Sequence, residues 1–285
     1  MININIQKTL HGSSGEMDLK VDLSIVQNDF VALTGQSGSG KTTLLRILAG
    51  LEESRGVIEV GDEIWQDSNK RIYLAPQKRK IGFVFQDYAL FSNMSVEDNL
   101  LFVKKDRELA SHLLEITGLA LLKNRHTSTL SGGQKQRVSL CRAMMNSPKL
   151  LLMDEPLSAL DPSMRTKLQN EILSLHKEFA TTTIMVSHDP SEIYRLANRA
   201  VVLNLGQVIN EGTPKEILLQ TSGSAKFSFE GELLDIIKVD VIHVAVIAIA
   251  QQIVEVVVSQ EEIKRLSIGQ IVRVSTKAFS PTISE

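Results

Sequence analysis

The stretch "GQSGSGKT" holds the residue types that grip phosphate. Gly35, Gly40, Lys41 and Thr42 match the pattern G-x-x-x-x-G-K-[ST]. Glycines let backbone N–H groups converge on phosphate oxygens at a helix start, while the lysine adds a positive charge and the threonine hydroxyl is a ligand for Mg²⁺. The motif follows a predicted strand and opens a predicted helix, which is the context it requires. It predicts a nucleotide-phosphate site, with an ordinary strand-to-helix turn as the alternative.

Acid, imidazole and amide side chains follow other apolar runs. Asp154 and Glu155 end the run in "LLLMDEP", His188 ends "TIMVSH", and Gln86 follows "IGFVF". One carboxylate of such a pair can hold Mg²⁺ while the next polarises an attacking water, and a histidine or glutamine can orient that water. Each residue alone also fits a structural role at a strand end. Beside the glycine loop, the set predicts nucleotide hydrolysis.

A second glycine pair lies far down the chain in "LSGGQKQR", residues 130–137. It places Ser131, Gly132, Gly133 and Gln134 at another predicted helix start, without a Lys-Thr pair of its own. A helix start of this kind offers a hydroxyl, backbone N–H groups and the positive end of the helix dipole to an anion. The residue pattern alone leaves open which anion that is.

The elements that must position these residues alternate between strands and helices. Residues 17–25 alternate apolar and polar side chains, which predicts a half-buried strand. Apolar runs without alternation predict strands covered on both faces, as in a parallel sheet; these runs are 30–35, 149–155 and 181–188. Helical patterns follow the motifs and occupy 41–50, 131–146, 163–179 and 190–198. The predicted fold class is therefore α/β.

Composition and net charge limit the classes of protein to which this chain can belong. The 285 residues carry 43% hydrophobic and 22% charged side chains, which are ordinary values for a globular chain. A net charge of -2 argues against attachment to nucleic acid or anionic lipid by bulk electrostatics. Cys141 is the single cysteine and the first residues lack the plan of a signal peptide, so the sequence predicts a reducing, cytoplasmic setting.

The last part of the chain differs from the rest. After about residue 212 the composition shifts to β-branched strands, with a short helix near 260–266. The apolar region 239–258 is interrupted by polar residues, and we interpret it as two buried strands joined by a turn rather than a membrane span. We expect two domains, 1–220 and 221–285, the second small and β-rich.

The motifs together resemble the ATP-binding subunit of an ABC transporter of the importer type. The glycine loop, Gln86, "LSGGQ" at 130–134, the acid pair, "SALD" at 158–161 and His188 stand in that family's order and spacing. The resemblance covers roughly residues 1–220. It implies a P-loop NTPase fold of the ABC ATPase type, with a helical subdomain at about 95–145.

The resemblance also implies roles for individual residues, with ATP and Mg²⁺ as ligands. Glu155 is expected as the general base, assisted catalytically by His188 and Gln86, while Asp154 supports the metal with Thr42 and Gln86. In this family two copies face head to tail, so "LSGGQ" of one copy closes on the ATP held by the other, and the working unit is expected to be a homodimer. The expected ATP-binding residues are Gly35, Gln36, Ser37, Gly38, Ser39, Gly40, Lys41, Thr42, Thr43, Ser131, Gly132, Gly133, Gln134 and Asp161.

Two further contacts are expected from the family. An aromatic residue upstream of the glycine loop usually stacks on adenine, but residues 7–19 contain no Phe, Tyr or Trp, and His11 is the candidate substitute. In "DYALFSNM", residues 87–94, apolar side chains are expected either to receive a helix of a membrane permease subunit or to fill the core beneath the helical subdomain. The implied location is the cytoplasmic face of the cell membrane.

The tail resembles the small barrel-like TOBE or Mop domain that follows the ATPase domain in molybdate importers. "SAKFSFEG" keeps Ser224 of the usual opening but has Lys226 where arginine is usual. Lys226 and Lys277 are the candidates to attract an oxyanion, with a purely structural, dimerising tail as the alternative. The chain as a whole most resembles the ATPases of molybdate importers, which act with an extracytoplasmic binding protein that the ATPase meets only indirectly.

Other functions are also compatible with these motifs. Importers of sulfate, iron or polyamines carry similar ATPases. A soluble ABC ATPase acting on DNA or ribosomes would show coiled-coil insertions or two ATPase halves, which this sequence lacks, so we expect no nucleic-acid partner. A non-catalytic anion sensor would not need every catalytic position. An exporter would more often fuse its spanning helices into the same chain.

Overall fold

The chain forms two units, Met1–Gln220 and Thr221–Glu285. A computed structural model describes residues 1–12, 15–158, 160–219, 225–239, 242–249 and 252–277. No helix in these ranges has both the length and the apolar character needed to cross a bilayer. Ala159 of "SALD" and Ser224 of the tail motif lie outside the described residues.

The first unit alternates strands and helices along the chain. Its strands are β1 (Ile2–Gly12), β2 (Gly15–Ile25), β3 (Phe30–Thr34), β4 (Arg55–Val60), β5 (Glu63–Asp67), β6 (Ile72–Tyr73), β7 (Ile81–Val84), β8 (Leu150–Asp154), β9 (Thr182–Val186), β10 (Arg199–Asn204) and β11 (Gln207–Gly212). Its α-helices are α1 (Lys41–Ala49), α2 (Val96–Leu101), α3 (Arg107–Ile116), α4 (Gly132–Met144), α5 (Pro162–Phe179), α6 (Pro190–Leu196) and α7 (Pro214–Leu218).

These strands form one sheet, whose order among the described residues is β6-β5-β4-β1-β2-β11-β10-β3-β9-β8-β7. From β10 to β7 each strand runs parallel to its neighbour. Strands β8 and β9 are buried at every position, which confirms the prediction from their apolar runs. Because the carboxyl ends of parallel strands meet at one edge, the residues that follow β3, β9, β8 and β7 lie along a single edge of the sheet.

Two apolar cores hold this sheet. In β2, Leu19, Val21, Leu23 and Ile25 alternate with exposed residues, which confirms the half-buried strand. They belong to a core that also contains the buried side chains of α1 and of strands on both of its sides. The second core joins α2, α3, α4 and α5 to the other face of β7, β8 and β9. The helix that follows the glycine loop is therefore fixed along most of its length.

The second unit contains strands and one short helix: β12 (Ala225–Val239), β13 (Ile242–Ile249), β14 (Gln252–Val258), α8 (Gln260–Ile263) and β15 (Ile271–Lys277). Its described strands pair in the antiparallel order β14-β13-β12-β15. The prediction of two strands within 239–258 is confirmed. The prediction that both are buried is wrong for β14, where Ile253 and Val257 are 68% and 64% exposed, because "QIVEVVV" is apolar on both faces and conceals which one is covered.

Candidate functional site

The glycine loop connects β3 to α1 at the carboxyl edge of the sheet. Gly35, Gly38 and Gly40 have φ angles of 134°, 78° and 98°, which side chains disfavour. A Cβ atom on Gly35 would also lie 1.9 Å from the carbonyl oxygen of Leu203 in the neighbouring strand β10. Glycine is therefore required at position 35 both by conformation and by the close approach of β10.

Lys41 begins α1, and its side chain folds back over the loop. Its Nζ donates to the carbonyl oxygens of Gly35 at 2.8 Å and Gln36 at 2.7 Å. Burial lowers the pKa of the Lys41 ammonium, whereas the carboxylates of Glu155 and Asp154 oppose that shift. The loop thus carries a desolvated positive charge at the point where its N–H groups converge.

Thr42 and Asp154 join α1 to the end of β8. The Thr42 hydroxyl donates to Asp154 Oδ1 at 3.1 Å. Asp154 is only 7% exposed, and burial raises the pKa of its carboxyl, with a smaller contribution from Glu155 and an opposing one from the Thr42 hydrogen bond. A hydroxyl and a carboxylate in contact are hard oxygen donors of the kind that Mg²⁺ prefers.

Glu155 and His188 form the next pair along this edge. Glu155 follows β8 in a left-handed conformation with φ 45°, and its N–H donates to the carbonyl of Val186 at the end of β9. A left-handed glutamate is a strained arrangement of the kind found at functional sites. His188 Nδ1 lies 3.5 Å from Glu155 Oε1, and the side chains are 69% and 27% exposed. The pair faces solvent beside the loop.

A cleft of about 1100 Å³ gathers these groups. Besides the whole glycine loop from Gly35 to Thr43, its lining consists of Lys8, Thr9, Leu10, His11, Gly15, Glu16, Met17, Glu52, Glu155, His188, Asn204 and Leu205. The described residues contain no cluster of three His, Cys, Asp or Glu side chains able to hold a metal. The Thr42 and Asp154 oxygens fit Mg²⁺ that takes its other ligands from phosphate and water, as this ion commonly does.

Gln86 is exposed and follows β7, the outermost parallel strand. It stands at the same edge as Asp154, since β7 and β8 pair in parallel. It does not line the cleft in this structure.

The second glycine pair opens α4 and does not line this cleft. The Ser131 hydroxyl accepts from the Gln134 N–H at 3.4 Å, and Gln134 Oε1 accepts from the Ser131 N–H at 2.9 Å. A Cβ atom on Gly133 would lie 2.8 Å from Met164 Sδ and 3.5 Å from Leu160 Cδ2. This helix start is thus well capped and packs against the segment that leads into α5.

Asp161 lies in that segment and caps α5. Its carboxylate accepts from the N–H groups of Ser163 and Met164, each at 3.0 Å, and from the Ser163 hydroxyl at 2.7 Å. The Met164 backbone hydrogen bond, followed by the Ser163 hydroxyl, lowers the pKa of Asp161. Asp161 does not line the cleft within this chain.

The 87–94 segment is tied to the second glycine helix. Arg142 of α4 donates to the carbonyl oxygens of Ala89 at 2.7 Å and Tyr88 at 3.2 Å. Leu90 packs against the helical core, whereas the Phe91 and Phe102 rings meet at an angle of 55°, with their centroids 4.7 Å apart. A second cleft of about 650 Å³ lies alongside and is lined by Met94, Asp98, Leu101, Phe102, Lys105 and Arg107. The segment therefore both fills the core and borders an open, partly apolar cleft.

Comparison with known proteins decides the family. Residues 19–158 match the sequence model described as "ABC transporter". A solved dimeric bacterial ABC transporter cassette is 30% identical, with a TM-score of 0.63, and the match covers 75% of this chain and 99% of that one. The chain belongs to the ABC transporter family. The fold of its first unit is that of the family's P-loop ATPases, as the motifs predicted.

Curated members of the ABC transporter family include importer subunits for different cargoes. The molybdenum import ATP-binding protein ModC of Pseudomonas fluorescens is 40% identical over 75% of this chain. The Fe(3+) ions import ATP-binding protein FbpC 2 of Rhizobium meliloti is 47% identical over 69% of this chain. The matched regions cover 62% and 51% of those two proteins, so the chain spans between half and two thirds of their length.

Several residues that line the cleft of the glycine loop were not predicted from the sequence. Asn204, the last residue of β10, and Leu205, in the turn that follows, reach the cleft, and Leu205 is left-handed with φ 45°. Glu16 lines the cleft and lies 3.4 Å from His11, the predicted substitute for an aromatic at the base-binding end. The parallel pairing of β10 with β3 explains the approach of Asn204 and Leu205, but no local pattern announces that pairing. The described residues that line the cleft include no Phe, Tyr or Trp.

Proposed function

We propose that this chain is the ATP-hydrolysing subunit of an ABC importer. The observation that carries the proposal is the single sheet edge at which the glycine loop, Lys41, Glu155 and His188 line one cleft, while Asp154 contacts the Thr42 hydroxyl at its margin. A phosphate-binding loop beside a metal-fitting oxygen pair and a solvent-facing carboxylate suits transfer of a phosphoryl group to water.

Each side chain has a role that its position supports. The loop N–H groups from Gly35 to Thr43 and the Lys41 ammonium bind the β and γ phosphates of ATP, whose oxygens replace the two carbonyl groups that Lys41 now contacts. Thr42 and Asp154 hold Mg²⁺, and Gln86 joins them by moving inward from its exposed position at the same edge. When bound, the ion neutralises charge on the phosphates.

Glu155 and His188 act on the attacking water. Glu155 accepts the proton of the water as that water attacks the γ-phosphorus, because its carboxylate faces the cleft rather than the metal pair. His188 lies beside this carboxylate and donates to a γ-phosphate oxygen, which aligns the water with the scissile bond. ADP and phosphate are the products.

The second glycine pair completes the site of another copy of the chain. Ser131, Gly132, Gly133 and Gln134 present a capped helix start that lies outside their own cleft. Two copies related by a twofold axis, placed head to tail, bring this helix start to the γ-phosphate held by the partner's glycine loop. Asp161 lies in the adjoining segment, where it helps to join the two sites.

The membrane partner docks on the helical region. The cleft beside Met94 and Phe102 offers exposed apolar surface, with Phe102 63% exposed. A helix of an integral permease subunit fits this surface. The chain then acts at the cytoplasmic face of the membrane, and the extracytoplasmic binding protein communicates with it only through the permease.

Molybdate or a related oxyanion is the proposed cargo. The similarity to molybdenum import subunits supports it, while the similarity to a ferric ion import subunit, with 47% rather than 40% identity, supports iron as the second candidate. We also propose that the tail is of the TOBE or Mop type and takes an oxyanion near Lys226 and Lys277. Ser224 of that motif lies outside the described residues, and for these two lysines the structure describes only the backbone.

Phosphate release by the purified chain tests the activity. We expect hydrolysis of ATP that requires Mg²⁺, stops with EDTA and is lost in Lys41→Ala. Lys20→Ala is the matched control, since Lys20 is exposed and does not line the cleft. Release of phosphate that is equal in Lys41→Ala and the wild type would contradict the proposed site.

Uptake measurements test the cargo. Cells that lack the gene for this chain should lose uptake of radiolabelled molybdate and keep uptake of sulfate and ferric ion. Loss of ferric ion uptake alone would favour the second candidate.

A further inference from the structure

Arg165 lies in the first turns of α5, and its guanidinium connects three segments of the chain. Nη1 lies 2.9 Å from Asp189 Oδ2, and Nη2 donates to the carbonyl oxygen of Leu160 at 3.4 Å. Nε lies 3.6 Å from Glu192 Oε1, a distance at which the attraction is electrostatic rather than a hydrogen bond. One side chain thus holds the loop before α5 against the segment that surrounds His188.

The backbone on both sides of His188 is fixed by polar contacts. Ser187 Oγ donates to Glu192 Oε2 at 2.6 Å and accepts from the Asp189 N–H at 3.1 Å. Asp189 also caps α6, and Glu192 is 4% exposed. His188 itself is largely exposed and reaches Glu155. Its ring position therefore depends on neighbours that Arg165 holds through two carboxylates.

The same arginine holds the side of the molecule that meets the second glycine pair. Leu160 and Met164 both precede Arg165 in sequence, and their side chains lie within 3.5 Å of the place where a Cβ atom on Gly133 would stand. Displacement of Gly133 would press on this segment, and Arg165 connects the segment to Asp189. Packed interiors transmit such displacements because they tolerate little compression.

We propose that Arg165 is a positioning residue that fixes the location of His188 relative to the segment that packs on the second glycine pair. The inference rests on the proposed function, in which His188 serves the nucleotide of its own chain and Gly133 serves that of the partner. Loss of Arg165 leaves the nucleotide-binding loop intact but releases the backbone beside His188.

The test compares Arg165→Gln with Arg195→Gln. Arg195 also joins α5 and α6, since its Nη2 donates to Asn170 Oδ1 at 3.0 Å, but it contacts neither Leu160 nor Asp189. We expect Arg165→Gln to lower kcat about 10- to 100-fold, the cost of misplacing a reacting group by about 1 Å, with little change in KM. Arg195→Gln should keep wild-type kcat.

A double-variant cycle separates positioning from general damage. In a His188→Ala background, Arg165→Gln should lower kcat little further, because two residues that act as a unit are not additive. A full additional loss in that background, or equal losses in the two arginine variants, would overturn the proposal. Should Arg165→Gln fail to fold, Arg165→Lys, which keeps the charge but not the branched donor, takes its place.

A readout without turnover distinguishes this proposal from the proposed function. The imidazole NMR signals of His188, assigned by their absence from His188→Ala, should shift in Arg165→Gln and stay unchanged in Arg195→Gln. A chain that shows this shift but hydrolyses no ATP would disprove the proposed function and leave the positioning role standing. An unshifted His188 signal in Arg165→Gln would disprove the positioning role whatever the activity.

Discussion

The two glycine segments of this chain differ in what surrounds them. Gly35 to Thr43 line a cleft with Glu155 and His188; three of their glycines have positive φ angles, and strand β10 closely approaches Gly35. Ser131 to Gln134 begin an ordinary capped helix and do not line that cleft. The first segment lies beside the proposed reacting groups, and the second is a capped helix start away from them.

The difference indicates a division of labour between two copies of the chain. The first segment contributes the Thr42 hydroxyl and lies beside Asp154 and the proposed proton acceptor Glu155. The second has N–H groups at a helix start and no reacting groups of its own in the cleft. In the proposed dimer, a second copy of the chain brings the two kinds of surface together. Variants of each segment test that division, and the variant with the largest expected effect on hydrolysis comes first.

Glu155→Gln tests the reacting segment and should have the largest effect. Because the amide cannot accept the proton of the attacking water, we expect steady-state hydrolysis to fall about 10²- to 10⁴-fold. An ATP-bound dimer should accumulate, visible by size-exclusion chromatography with ATP. Glu16→Gln, another carboxylate that lines the cleft, is the control and should keep wild-type turnover. Unchanged hydrolysis in Glu155→Gln would refute the assignment of the base.

Ser131→Ala tests the rigid segment. Loss of one hydrogen bond to a charged phosphate costs about 1.5 to 3 kcal/mol, so hydrolysis should fall about 10- to 100-fold while ATP binding to the monomer stays unchanged. Ser259→Ala is the matched control, because Ser259 forms the same capping box with Glu262 in the second unit. Weaker binding of ATP to monomeric Ser131→Ala would show instead that the segment serves its own chain.

His11→Tyr tests whether an aromatic ring at position 11 would stack on the adenine of ATP. Stacking of a base on an aromatic ring is worth about 1 to 3 kcal/mol, and part of that gain should lower the KM for ATP about three- to tenfold. Lys20→Tyr, at an exposed position outside the cleft, is the control. A KM for ATP that does not change in His11→Tyr would show that adenine does not bind beside residue 11.

Asp154→Asn and Asp161→Asn should change stability in opposite directions. Burial raises the pKa of Asp154, so its contribution to stability is present at acidic pH and is lost as the pH rises through the folded-state pKa. Asp154→Asn should therefore raise the Tm of the nucleotide-free chain at neutral pH. Hydrogen bonds lower the pKa of Asp161, so Asp161→Asn should lower the Tm at neutral pH.

Both Tm differences should shrink below the ordinary carboxyl range, where each aspartate is protonated. Thermal unfolding of the three proteins at neutral and acidic pH measures them. Two Tm shifts of the same sign would contradict the opposite pKa shifts of Asp154 and Asp161.

Local patterns predicted the three strands that Gly35, Asp154 and His188 terminate or follow, and the reason that these residues meet is geometric. Gly35, Asp154 and His188 each end an apolar run, and parallel strands bring such ends to one edge. The contact of Arg165 with Asp189 and Leu160 joins residues from separate segments and leaves no periodic trace. The exposure of Val257 was also missed, since β-branched residues occupy both faces of β14. Tertiary contacts, rather than local propensity, decide these features.

Dilution of the wild-type chain tests the division of labour most directly. Hydrolysis of Mg-ATP is measured per chain over a concentration series, and sedimentation velocity gives the fraction of dimer at each concentration. Since each site needs surfaces from two copies, the rate per chain should fall in proportion to the dimer fraction. A rate per chain that stays constant while the protein dissociates to monomers would contradict the account.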